Sequence, residues 1–248
     1  MSAAYILWLR QLKRYMRSRS MIIGSLGQPI LYLLAMGFGF GPIYARAGGG
    51  NYLQFIAPGI VAMAILFTSM FSGMGVIWDR QFGFLKETLV APVSRVSIMV
   101  GRTLGGATVA AIQGMLVLTI SILVGFRPHH WYAVPLAFGV MLLVGIVFTA
   151  FGTALASVLE DMQGFQMIMS FLVMPLFFLS GALFPIAGLP PAIGIAARLD
   201  PLAYGVDAMR GFLIGESHFG LAMDFAVLLI VSVAITAIGA RLFSRIEA

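Results

Sequence analysis

Asp79–Arg95 reads DRQFGFLKETLVAPVSR. The stretch is polar and charged and lies between two long apolar runs. Asp79, Arg80, Lys86, Glu87 and Arg95 fall within it, whereas Phe55–Trp78 before it and Thr103–Phe126 after it carry no charge. Phe82, Leu85 and Leu89 recur at i, i+3 and i+7, which puts them on one helical face, with Arg80, Glu87 and Thr88 off that face. Pro92 ends the segment, because proline disfavours α conformation in the residue before it. The pattern predicts a short amphipathic helix hung between two membrane spans; the alternative is a solvated loop with incidental apolar residues.

Composition agrees. Hydrophobic residues make up 60% of the chain and charged residues 10%, against about 25% charged in a soluble domain. That excludes an ordinary soluble globule and indicates a polytopic membrane protein. The 248 residues suit one helical domain, 1–248. There are no cysteines, so disulfides and thiolate metal sites are excluded. The net charge of +6 does not imply nucleic acid, because its distribution follows membrane topology.

Upstream of the opening stretch, span 2 is expected at Phe55–Ile77. It enters through Pro58-Gly59 and leaves through Gly73 and Gly75, with Trp78 at the interface. A glycine-rich loop, Gly41–Asn51, precedes it. Span 1 is expected at Met21–Phe40, about 20 apolar residues for a hydrocarbon core of ~30 Å. Pro29 removes a helical hydrogen bond there and kinks the helix. Gln28 beside it either satisfies a freed carbonyl, the preferred role, or faces a substrate path. Within residues 1–19, Tyr5, Trp8, Leu9, Leu12 and Met16 share one helical face and Arg10, Lys13, Arg14 and Arg17 the other. This predicts an amphipathic helix lying in the membrane surface, retained on the mature protein.

Downstream, span 3 is expected at Ile98–Gly125. Arg102 near its start can snorkel to headgroups, and Gly101, Gly105 and Gly106 offer a small-residue surface for close packing. GRTLGG lacks the lysine and Ser/Thr of a Walker loop, so the chain is not expected to hydrolyse ATP by itself. His129 and His130 read as interfacial polar residues rather than metal ligands. Span 4 lies within Trp131–Leu159, and Glu160-Asp161 turns into span 5. Met162–Ala197 is uncharged and would make a straight helix about 54 Å long, too long for one crossing. Pro175, Pro185, Pro190 and Pro191 break it. Span 5 is placed at Phe165–Phe184, and residues 185–215 read as a helical hairpin dipping back into the membrane. Asp207 and Arg210 stand at i, i+3, where they can pair; Asp200 and Arg198 can do likewise. Span 6 is expected at Leu221–Ala240.

Of the 15 lysines and arginines, only Arg46, Arg127, Arg198 and Arg210 fall in the outer loops of this scheme. Both termini and the 79–95 stretch are therefore expected in the cytoplasm. The fold class is all-α integral membrane, with six transmembrane helices, an N-terminal interfacial helix and a re-entrant outer hairpin. No span carries a charge near its middle, which weakens the alternative of an ion-gradient-driven secondary transporter or channel. The histidines lie at outer loops, which leaves no Ser–His pair at depth for an intramembrane protease.

Three stretches carry a resemblance: the opening one, FFLSGALFPIAGLPP (Phe177–Pro191) and DPLAYGVDAMRG (Asp200–Gly211). Together, in this order and separation, they resemble ABC-2 type permeases, the membrane subunits of one class of ABC exporter, and most of all the daunorubicin/doxorubicin-resistance branch. The resemblance implies that residues 79–95 are the coupling helix that docks on a separate ABC ATPase subunit, and that the N-terminal helix borders that subunit. Phe82, Leu85 and Leu89 would then insert into the ATPase, with Glu87 pairing a basic residue there. It also implies a second permease copy or close relative, contact with membrane lipids and not nucleic acid, and the plasma membrane of a prokaryote. No cofactor is expected in this chain, ATP and Mg being held by the partner. The candidate substrate path is drawn from scattered polar span residues, Gln28, Ser69, Ser72, Gln113, Thr149, Gln163, Gln166 and Ser170. With 16 methionines, flexible enough to repack around varied shapes, they suggest an apolar or amphipathic cargo such as a drug, lipid or glycolipid. Methionine that merely fills helix contacts is the alternative.

Overall fold

The computed structural model describes residues 3–46, 50–83, 94–159, 161–187 and 190–244. Among these residues the chain is helical, with no strand. The order is α1 (Ala3–Arg17), α2 (Arg19–Gly39), α3 (Gly41–Arg46), α4 (Tyr52–Ser72), α5 (Met74–Gln81) and α6 (Arg95–Val124). A short 3-10 turn, Trp131–Ala133, leads into α7 (Val134–Val158). Then come α8 (Met162–Leu179), α9 (Pro191–Leu199), α10 (Pro201–Ile214) and α11 (Leu221–Ser244).

Six segments are long and apolar enough to cross a membrane: Arg19–Gly39, Tyr52–Gln81, Arg95–Val124, Trp131–Val158, Met162–Leu179 and Leu221–Ser244. They correspond to the six expected spans. Several starts are set by side-chain caps, which satisfy N–H groups that have no partner in the first helical turn. Asn51 accepts from Leu53, Ser94 from Ser97, Asp161 from Gly164 and Asp200 from Leu202. Gly215 closes α10 in the left-handed conformation, φ 78°, and its N–H returns to the Arg210 carbonyl. The glycine-rich stretch 41–51, expected as a loop, contains the short helix α3.

α4 is the centre of the bundle. Most of its side chains are buried, from Ile56 to Met70, against α6, α7, α2 and α10. Small residues let the backbones meet. A Cβ on Gly73 would fall inside the Gly152 backbone, and one on Gly152 inside that of Met70, so α7 crosses the α4–α5 joint in direct main-chain contact. α2, α8 and α11 form the periphery and leave Ile23, Leu31, Phe171, Phe178, Ile230 and Val233 exposed.

The bundle has two distinct ends. One, the charged end, gathers α1, the end of α5 and the start of α6. α11 reaches it too, where Gly239 lies against Met99 and Ala154. The other, the hairpin end, carries α9 and α10. There the Tyr52 hydroxyl donates to the Leu183 carbonyl at 3.1 Å and the His129 N–H to the Leu213 carbonyl at 2.8 Å.

Candidate functional site

At the charged end α1 lies along α6. The stripe that makes this contact is Ala4, Trp8, Gln11 and Tyr15, at i, i+4, i+7 and i+11. Gly101 leaves room for Ala4: a Cβ there would stand 2.7 Å from the Ala4 carbonyl oxygen. Gly105 does the same for Gln11 at 3.0 Å. Trp8 Nε1 donates to Thr108 Oγ1 at 3.0 Å, and the Tyr15 hydroxyl donates to Gln113 Oε1. The apolar face read from the sequence contributes only part of this seam; Tyr5 and Met16 remain exposed.

Three helices converge on Asp79, near the end of α5. Arg102 of α6 binds one oxygen of its carboxylate, and Arg10 of α1 lies 3.5 Å from the other. Arg102 does not snorkel as expected. It is only 6% exposed, because a carboxylate 23 residues earlier in sequence meets it inside the bundle. Next in sequence, Arg80 donates to the carbonyls of Ser157 and Leu159, both at 3.1 Å. The last carbonyls of α7 have no partner within their own helix, and a guanidinium supplies one. The root of the 79–95 stretch is thereby fastened to α1, α6 and α7 at once.

Beneath α1 lies a cavity of about 430 Å³, walled by α1, α2, α4, α5 and α6. Its polar lining includes Arg10, Arg14, Gln28, Ser72, Asp79 and Arg102. Met21, Met63, Phe67, Phe71, Met74 and Trp78 supply apolar wall. Of the expected path residues, Gln28 and Ser72 line this cavity. Ser69 is buried and donates to the Ile65 carbonyl. Gln113 is buried against Tyr15, with its Nε2 unpartnered among the described residues. Thr149 is buried beside Gly106. Gln163, Gln166 and Ser170 lie on the exposed side of α8, away from the cavity. The sequence reading missed Arg10, Arg14, Asp79, Trp78 and Arg102 as cavity residues. Their signal was the clustering of charge at the ends of otherwise apolar spans.

Phe82 follows α5 and is 62% exposed, its ring stacked on Trp78 with centroids 5.3 Å apart. Leu85, Glu87 and Leu89, expected with it on a coupling helix, lie outside the described residues.

The family model described as "ABC-2 type transporter" matches residues 2–214. The chain belongs to the ABC-2 type transporter family. It is 28% identical over 211 residues to Nodulation protein J of Rhizobium leguminosarum bv. viciae, covering 84% of this chain and 81% of that one. It is 31% identical to the transport permease ycf38 of Cyanophora paradoxa, covering 95% and 84%. It is 26% identical to the inner membrane transport permease YadH of Escherichia coli strain K12, covering 92% and 89%. With six apolar spans, the chain is a multi-pass membrane protein of the permease type.

At the permease's hairpin end, Asp207 and Arg210 share α10, yet the expected ion pair is not among those formed by the described residues. Asp207 accepts from Ser217 Oγ at 2.9 Å and from the main-chain N–H groups of His218 and Phe219, at 2.8 Å and 2.7 Å. It closes the turn into α11. Arg210 donates to the carbonyls of Gly181 at 2.8 Å, Ala182 at 3.2 Å and Phe55 at 3.3 Å, and its guanidinium lies over the Phe55 ring at 3.8 Å. Burial lowers Arg210 to about 10 while Asp207 acts to raise it, so it remains a cation. Carbonyls of α4 and of the segment after α8 take the guanidinium, while the carboxylate is already satisfied by three donors. The other expected pair, Asp200 with Arg198, is also not among the ion pairs of the described residues. Asp200 caps α10 instead.

Proposed function

We propose that this permease is the membrane subunit of an ATP-driven exporter, powered by a separate ATPase subunit that docks on the 79–95 stretch. The observation that carries this reading is the double role of Asp79. It belongs to the root of that stretch, and it lines the cavity while holding Arg10 and Arg102. Any displacement of the stretch by a docked ATPase would therefore be felt directly in the cavity walls. The sequence pattern offers Phe82, Leu85 and Leu89 as the apolar centre of the docking face, with Lys86 and Glu87 as its polar rim, as at other protein interfaces.

In this reading both termini and the charged end lie in the cytoplasm, in a prokaryotic plasma membrane, and residues 185–215 dip into the outer leaflet. ATP and Mg belong to the partner. Two permease copies, or this chain and a close relative, meet across α2 and α8. The glycines of α4, α6 and α7 are largely consumed within the bundle, whereas Gly24 and Gly27 of α2 would find nothing within 4 Å of an added Cβ. ATP closes the ATPase pair, the docked stretch moves with it, and an amphipathic cargo entering the cavity beside Gln28 and Ser72 is released outward. An ion-driven mechanism fits less well. The buried charges sit at the two ends of the bundle, Asp79 and Arg102 at one and Asp200, Asp207, Arg210 and Asp224 at the other.

The test is reconstitution of the permease with a co-expressed ABC ATPase subunit, followed by uptake of a fluorescent amphiphile into vesicles. Uptake is expected only with hydrolysable ATP. Uptake driven by an ion gradient without the ATPase would overturn the reading. Single cysteines check orientation, since the chain has none: positions 46, 128 and 215 should react from outside intact cells, and position 245 should not.

A further inference from the structure

α11 begins with a carboxyl that has no donor. Asp224, in its first turn, is fully buried, and neither side-chain oxygen has a partner among the described residues. A lone carboxylate is very costly to bury, and a carboxyl so placed keeps its proton instead. Its polar neighbour is Asp207 of α10, also buried, whose carboxyl lies within hydrogen-bonding reach. The turn between the two helices fixes this register. Ser217 Oγ donates to Asp207 at 2.9 Å and accepts from the Gly220 N–H at 2.9 Å. One turn further the Asp224 N–H donates to the Gly220 carbonyl at 3.1 Å, and Leu221 lies against Gly211.

The two carboxyls are not equivalent. Asp207 accepts from one hydroxyl and two main-chain N–H groups, and the Arg210 cation stands one turn along the same helix. Asp224 has no such support. Tyr204 of α10 also faces it, but gives its hydroxyl proton to the Arg198 carbonyl at 2.8 Å. α6 beyond Arg102 and the whole of α7, which pack along α11, carry no charged or titratable side chain. Glu216 and His218, in the turn, are exposed. Two carboxylates cannot hydrogen-bond to each other, whereas a protonated carboxyl donates to a carboxylate.

We propose that Asp207 and Asp224 form a proton-binding site that latches α11 to α10. Asp224 holds the proton and donates it to Asp207, so that two buried carboxyls touch without mutual repulsion. In base the proton leaves to water through the exposed turn, both groups are charged, and the contact becomes repulsive. The latch is therefore closed in acid and released in base. A metal cation fits poorly, because the oxygens of Asp207 already face N–H and O–H hydrogens. The latch needs neither ATPase nor cargo, so its test is independent of the exporter reading.

The proton is read by infrared difference spectroscopy of the purified full chain in a maltoside detergent, which has no carbonyl group. Asp200→Asn is the background throughout, so that the buried Asp200 carboxyl does not contribute. At about pH 7, where exposed carboxyls are ionised, the background should show a carboxylic-acid band that fades toward about pH 10. Adding Asp224→Asn should remove that band. The amide still donates to Asp207 but does not ionise. The melting temperature of the background should fall by about 3 °C or more between about pH 6 and about pH 10, and Asp224→Asn should reduce that fall by at least about half. Asp224→Ser, a hydroxyl donor, serves if the amide variant does not accumulate. No band that depends on Asp224, or a fall of the same size with and without its carboxyl, would overturn the inference. Stabilisation by calcium chloride that depends on Asp224, with the acid band absent, would assign a cation in place of the proton and overturn it as well.

Discussion

Asp79→Ala breaks the junction of α1, α5 and α6, and its cost divides unequally between two limbs. The Arg10 side chain is 52% exposed and 3.5 Å from Asp79, so that limb is a surface pair contributing about 0.2–1 kcal/mol. Arg102 is buried, and losing its carboxylate leaves an uncompensated charge inside the bundle, which costs about 3–5 kcal/mol. Nearly all of the expected loss therefore comes from Arg102. Removing both charges, in Asp79→Ala with Arg102→Met, should return stability to within about 2 kcal/mol of the parent, because a buried ion pair is often replaceable by apolar side chains. Arg10→Ala should cost less than about 1 kcal/mol. The assay is unfolding of the purified chain by increasing mole fraction of dodecyl sulfate, followed by tryptophan fluorescence. A loss below about 1 kcal/mol for Asp79→Ala would refute the reasoning, as would a double variant no more stable than the single one.

Gly73→Val and Gly152→Val drive a side chain into main chain and should cost at least about 2–3 kcal/mol or prevent accumulation in membranes; Gly27→Val, in open space, should accumulate normally. Arg210→Met leaves the carbonyls of Phe55, Gly181 and Ala182 without their donor, at about 1–3 kcal/mol for each one left buried. Arg210→Lys should recover only part of this, since an ammonium cannot reproduce the fork; thermal unfolding of the three forms checks the order. Burial lifts the Asp200 carboxyl to about 7, against a smaller lowering by the Leu202 N–H. The unfolded chain ionises this group near pH 4, so stability should fall as pH rises from about 4 to about 7 and stay low above that. Asp200→Asn keeps the cap acceptor and cannot ionise, so it should melt higher than the parent at about pH 8 and lose that advantage at about pH 5; a melting temperature with the same pH profile in both would contradict this.

The spans were legible because each is an apolar run with charge only near its ends, and period and length suffice for that. Asn51, Ser94 and Asp161 start α4, α6 and α8 as ordinary capping chemistry predicts. The association of α1 with α6 was not legible, because its seam is Ala4, Trp8, Gln11 and Tyr15 rather than an apolar stripe. Its partners, Gly101, Thr108 and Gln113, lie about a hundred residues away. Charges were the least legible feature. Arg102 reads as a snorkelling residue and Asp207–Arg210 as a local pair. In each case a partner distant in sequence offers better-placed oxygens or donors. Asp224 in the first turn of α11 is fully buried, with both carboxylate oxygens unpartnered among the described residues. Gln166 shares its residue type with Gln28, yet helix rotation turns one toward the cavity and the other away.

The central claim is that an ATPase subunit docks on the stretch that Asp79 anchors. Its most direct measurement is affinity capture of the co-expressed ATPase by the permease, comparing the parent with Phe82→Ala, Leu85→Ala and Thr88→Ala at equal membrane levels. Truncating a buried aromatic anchor costs about 2 kcal/mol or more, so Phe82→Ala should lose roughly thirtyfold in affinity and Leu85→Ala a substantial part of that. Thr88→Ala, which the sequence pattern puts off the apolar face, should capture as the parent does. Capture and transport unchanged in both Phe82→Ala and Leu85→Ala would contradict the account.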